Sequence, residues 1–99
     1  MAVLLIFDSP ARRADVEAIT DLMELRDKPA EGLICHLATD TSDGVRIYDV
    51  WESEQAFQQF AQERIIPATR VYLQKRNLPT EVPLPPLTVV DAYDIVRGK

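Results

Sequence analysis

The chain has 99 residues, enough for one domain, spanning 1–99, with a modest core. Its 46% apolar and 27% charged residues match an ordinary globular protein, and a net charge of −5 disfavours nucleic acid and anionic membrane surfaces, which attract basic patches. A single cysteine excludes an intramolecular disulfide and a single histidine excludes a His-rich metal cage, so a reducing, cytoplasmic location is the default.

Ala2 to Phe7 is a short apolar run without helical spacing and reads as the first strand. It stops at Asp8 and lacks a basic leader, too short for a signal peptide or a membrane span. Ser9-Pro10 is an N-cap with proline at the first helical position, and Val16, Ile19, Leu22, Met23 and Leu25 then recur at helical spacing. The first helix is expected over about residues 10–26, ended by Asp27-Lys28-Pro29-Ala30-Glu31-Gly32.

Leu33 to Thr39 is the second strand, Asp40 to Gly44 a turn, and Val45 to Trp51 the third strand, antiparallel to the second. Ser53 caps a helix running to about Ile65, with Ala56, Phe57, Phe60, Ala61 and Arg64-Ile65 as its inward stripe. Pro67 forces a break or a first-turn restart, and Ala68 to Arg76 is a short third helix carrying Val71, Tyr72 and Leu73, with Asn77 able to cap its end. Four prolines between Leu78 and Pro86 make that stretch an extended connector, and Thr88 to Val96 is the last strand.

The order β-α-β-β-α-β, with a short extra helix before the last strand, predicts an α+β, ferredoxin-like fold: a four-stranded antiparallel sheet with helices on one face. Strands this apolar on both sides would leave a large patch in water, so a homodimer that packs the two open faces together is expected.

Strand side chains alternate between faces. The third strand offers Arg46, Tyr48 and Val50 on one side and Val45, Ile47, Asp49 and Trp51 on the other; the second offers Cys35 and Leu37 against Ile34, His36 and Ala38. Keeping a carboxylate and an imidazole out of the core assigns Cys35, Leu37, Tyr48 and Val50 to the helix-facing layer and His36, Asp49 and Trp51 to the opposite, partner-facing side. The pairing that does this places His36 across from Asp49 over a four-residue turn, Thr41 to Gly44; a slip of one residue would separate them.

So placed, His36 and Asp49 are the candidate catalytic pair, the carboxylate orienting the ring and favouring its charged form. Trp51, Tyr93 and Tyr72 are the candidate substrate-binding residues. Each has a plainer role open to it: Trp51 in the core or dimer interface, His36 as a satisfied interface histidine, Asp49 as its ion-pair partner, the tyrosines as packing residues. Cys35 reads as a small inert hydrophobe. No Ser-His-Asp set, phosphate-cradling loop or zinc spacing is present, and no metal site is expected.

The element order, together with Trp51-Glu52-Ser53-Glu54-Gln55-Ala56-Phe57, resembles the dimeric α+β barrel superfamily, in particular the antibiotic-biosynthesis-monooxygenase group and its haem-degrading relatives. The likeness covers the whole chain in topology and about seven residues in motif. It implies cofactor-independent oxygenases of aromatic polyketides, haem-degrading enzymes, quinol-related proteins and members without assigned activity as kin, and Trp51 as a cavity-lining, ligand-contacting position. The haem-degrading branch carries an iron-ligating histidine about ten residues after the tryptophan, where this chain has Ala61, and an asparagine in strand 1, where this chain has Leu5, Ile6 and Phe7.

The leading expectation is a monooxygenase-like homodimer with a cavity between the sheet and its partner for a small aromatic or hydrophobic molecule. Its chemistry would be cofactor-independent oxidation of a phenol or quinol, with no cofactor, no nucleic acid and no membrane. A non-catalytic small-ligand-binding or dimerisation module is the alternative, and a haem-binding protein the third. Whether the chain is an enzyme is open at this point.

Overall fold

The computed structural model describes residues 1–81 and 85–98; part of the proline-rich connector, residues 82–84, lies outside the described residues. The elements are β1 (Val3–Ser9), α1 (Arg13–Met23), β2 (Leu33–Thr41), β3 (Gly44–Trp51), α2 (Glu54–Phe60), a π-helical turn (Ala61–Ile65), α3 (Ile66–Lys75) and β4 (Thr88–Asp91). The strands form one sheet in the order β2-β3-β1-β4, every neighbouring pair antiparallel. This is the α+β, ferredoxin-like arrangement that the element order predicts. No helix among the described residues is long and apolar enough to cross a membrane.

Several boundaries differ from the sequence expectation, each where a longer-range contact outweighs a local signal. Ser9 pairs with Val45, so it closes β1 instead of capping α1. Its hydroxyl accepts from the Ala11 N–H at 3.2 Å. α1 starts three residues later than expected, with the Asp15 carboxylate accepting from the Arg12 N–H at 3.3 Å. It ends at Met23 because Glu24 adopts a left-handed conformation, φ 53°.

Pro67 does not break the second helical run. The π-helical turn widens the helix just before it, with the Ile66 N–H reaching back to the Ala61 carbonyl, and Pro67 occupies the first turn of α3, where a missing N–H costs little. Asn77, at φ 56°, ends α3 in a Schellman arrangement in which the Leu78 N–H bonds to the Leu73 carbonyl at 3.0 Å and the Asn77 N–H to the Gln74 carbonyl at 3.1 Å. β4 stops at Asp91, which pairs with Val3, and residues 93–98 run on exposed, apart from the strand expected to Val96.

The β2–β3 register places His36 opposite Asp49, as expected, but over a tighter turn: Thr41 pairs with Gly44, leaving Ser42-Asp43 as the loop. Gly44 has φ +147°, and a Cβ there would stand 2.1 Å from the Ser9 carbonyl oxygen, so a glycine is required where β1 passes the hairpin.

The faces are the reverse of those expected. Val3 and Leu5 of β1 and Val45, Ile47, Asp49 and Trp51 of β3 are buried on the helix side, whereas Cys35 and Leu37 are exposed and Tyr48 and Val50 half-buried on the open side. The aromatic cluster decides the matter. Trp51 is 0% exposed, edge-on to Phe57 with centroids 5.8 Å apart and 5.1 Å from Phe60, and the three share one core with Val3, Leu5 and Ala61. Burying an indole against two phenyl rings outweighs keeping Asp49 in water, because the carboxylate is fully hydrogen-bonded where it lies.

Candidate functional site

A bulge in β2 assembles the polar part of the site. Leu33 pairs with Trp51 and Cys35 with Val50, so Ile34 is an extra residue in the strand. Residues three apart on a regular strand face opposite sides; the bulge lets both Leu33 and His36 face the helices. His36 is thereby brought over Asp49 on the side where Trp51 is buried.

The three side chains form a hydrogen-bonded chain. His36 Nδ1 lies 2.6 Å from Asp49 Oδ1, and Trp51 Nε1–H donates to Asp49 Oδ2 at 3.2 Å. Asp49 is 4% exposed, so both oxygens of a buried carboxylate are occupied by partners. The hydrogen bond to Asp49 raises the His36 pKa above its usual value of 6.5, against the opposing pull of burial. With Nδ1 committed to the carboxylate, Nε2 is the nitrogen available to a ligand.

His36, Asp49 and Trp51 line a cavity of about 200 Å³ between the sheet and the helical layer. Its walls are chiefly apolar: Phe7 and Ile47 from the sheet, Ile19 and Met23 from α1, Phe60 from α2 and Ile65 from the π-helical turn. Ser9, Thr20 and Thr69 are the remaining polar members among the described residues. The cavity therefore lies inside the protomer, on the opposite side of the sheet from the partner-facing cavity expected from sequence. None of the α1 residues is fully buried, as follows from a helix standing over a cavity instead of over packed side chains.

The other two candidates are placed elsewhere. Tyr72 is buried between α3 and α1, where its hydroxyl donates to Asp15 and the Arg76 guanidinium stacks on its ring, 4.6 Å from the centroid. That bond raises the Tyr72 pKa and lowers that of Asp15. Tyr93, beyond β4, is 94% exposed. Neither is among the cavity's lining residues.

Sequence reasoning missed Thr20 and Thr69. Thr20 follows Val16 and Ile19 on the stripe that defines α1, so the helical period carried the signal, but polar residues on an apolar stripe were not selected. Among the described residues no group of three or more His, Cys, Asp or Glu side chains is placed to hold a metal ion.

No protein-family model matches the sequence, and no curated protein does. Solved structures match over nearly the full chain. Rv0793 of Mycobacterium tuberculosis superposes with a TM-score of 0.55 at 19% identity over 97% of each chain. SnoaB of Streptomyces nogalater, a cofactor-independent oxygenase, gives 0.55 at 15% over 96% of this chain and 94% of that one. A candidate antibiotic biosynthesis monooxygenase of Caulobacter crescentus gives 0.58 at 18% over 94% and 89%. At these identities it is the fold that is shared: the chain has the ferredoxin-like α+β fold of the antibiotic-biosynthesis-monooxygenase-like proteins.

Proposed function

We propose that this chain is a monooxygenase-like protein that holds a small, flat phenol or quinol between its sheet and helices and oxidises it with dioxygen, without a cofactor. The observation that carries this reading is the buried Asp49 carboxylate, which aligns a partly exposed imidazole in the wall of a chiefly apolar cavity. A cofactor-independent oxygenase among the structural neighbours supports it. The size supports it as well: an apolar cavity of roughly 150 Å³ takes up benzene, so about 200 Å³ suits one or two fused rings.

In this reading neutral His36 accepts the ligand's hydroxyl proton at Nε2 and is the catalytic residue. Asp49 is a positioning residue that fixes the ring and stabilises the imidazolium that forms. Trp51 positions Asp49 in turn and closes the cavity floor to water. For 1-naphthol the balance is C10H8O plus O2 giving 1,4-naphthoquinone, C10H6O2, plus water. One oxygen atom enters the ring and the other leaves as water once the O–O bond breaks.

The open sheet face, with half-buried Leu4, Ile6, Tyr48 and Val50 beside exposed Leu37 and Val90, is read as the surface of a homodimer. The free Cys35 thiol fits a reducing, cytoplasmic setting.

The test is oxygen uptake by the purified protein with 1-naphthol and no added cofactor, compared with His36→Ala. Stoichiometric uptake with naphthoquinone formation, lost in the variant, supports the assignment. Uptake equal in the variant and the native protein removes His36 from it, and no uptake removes the oxygenase reading.

A further inference from the structure

The cavity has an unusual charge inventory. Among the described residues no lysine or arginine lines it, and its two ionisable members, His36 and Asp49, are bonded to each other. With the imidazole protonated the pair is neutral; with it deprotonated the pair carries one negative charge. In neither state does the cavity present a net positive charge.

Its hydrogen-bond donors are equally few. The Thr20 hydroxyl donates to the Val16 carbonyl at 2.8 Å and the Thr69 hydroxyl to the Ile65 carbonyl at 2.8 Å, so both protons are spent on the threonines' own helices. Trp51 Nε1–H is spent on Asp49. Among the described residues, His36 Nε2 and the Ser9 hydroxyl are the side-chain groups that remain. A carboxylate entering this space would leave water for at most two donors and no unpaired cation, while facing the nearby Asp49 charge.

We infer that the site selects its ligand by charge, accepting uncharged hydroxyarenes of one or two rings and rejecting aryl carboxylates of the same size. The inference rests on the cavity reading above and adds a constraint that reading does not contain. An uncharged arenol needs a single polar partner, which Nε2 supplies as acceptor or donor, and its ring is matched by the apolar walls. Thr20 and Thr69 are the specificity-determining positions, since a cation at either would reverse the balance.

Isothermal titration of the full chain with 2-naphthol and with 2-naphthoate at pH 7 tests this, because the two probes share ring system and size and differ in charge. The expected result is 2-naphthol binding tighter by about 100-fold, the scale on which an unpaired buried charge is penalised. Thr20→Lys, and Thr69→Lys as a second variant should the first not fold, are expected to narrow or invert the ratio by strengthening naphthoate binding. Comparable binding of the two probes by the native protein overturns charge selection but keeps the cavity. An unchanged ratio in the folded lysine variants overturns it too. Binding of neither probe overturns this inference together with the cavity reading.

Discussion

Trp51 and Asp49 lie two residues apart on β3 and face the same side, so that the indole N–H bonds the carboxylate at 3.2 Å while both are buried. Trp51→Phe keeps an aromatic in the cluster but withdraws one of the two partners of a buried charge. The expected loss of stability is about 2–4 kcal/mol by urea denaturation, combining a smaller ring with an undersatisfied carboxylate. Asp49→Asn added to Trp51→Phe should cost less than the sum of the two single changes, since the orphaned charge has gone. Strict additivity would show that the hydrogen bond contributes little.

His36 carries the clearest pH dependence. Its folded-state pKa is raised above 6.5 by Asp49, so the stability this contributes is fully present below the unfolded value and is lost as pH rises through the raised folded value. The stability difference between the native protein and His36→Gln is therefore expected to be larger at pH 5.5 than at pH 9. Denaturation series at the two pH values measure it, and a difference that grows with pH would show that the carboxylate does not favour the imidazolium.

The same coupling should appear in turnover. If neutral His36 is the base, kcat/KM for 1-naphthol climbs with pH through the raised pKa. Asp49→Asn, which removes the cause of the rise, should move the climb to lower pH while lowering its plateau. A profile that stays in place in the variant would separate Asp49 from the titrating group.

Leu37 is 55% exposed on the open face of the sheet. If the open face is the proposed homodimer surface, Leu37→Glu on the edge strand β2 should leave the fold of the protomer intact and shift the native mass from two chains to one, because a charge placed in an apolar interface loses its water. A native mass spectrum that shows one chain before the substitution would instead leave that face without a partner.

Gly44→Ala tests the hairpin that sets the register. The added methyl would sit 2.1 Å from a backbone oxygen at a φ unfavourable to side chains, and a stability loss of more than about 1 kcal/mol is expected. A variant as stable as the native chain would mean that β1 and the hairpin can separate there without cost.

Much of the fold was legible in local pattern. Apolar runs bounded by turn residues located four strands, helical spacing located the helices, and the element order implied the sheet's topology, because these signals act over a few residues. The pairing of His36 with Asp49 was legible too, since hairpin partners are close in sequence. What the chain's local signals pointed to wrongly was which face meets the helices: they favoured Cys35, Leu37, Tyr48 and Val50, and the structure buries Val45, Ile47, Asp49 and Trp51 there. That depended on Trp51, Phe57 and Phe60 finding one another across β3 and α2, and on Trp51 and His36 together satisfying a buried carboxylate. The bulge at Ile34 and the π-helical turn before Pro67 were invisible for the same reason: each is a local irregularity that only packing against the rest of the molecule makes favourable. Residue type and spacing thus determined the elements and the His36–Asp49 pairing, and tertiary burial decided which side chains line the cavity and that it lies inside the protomer.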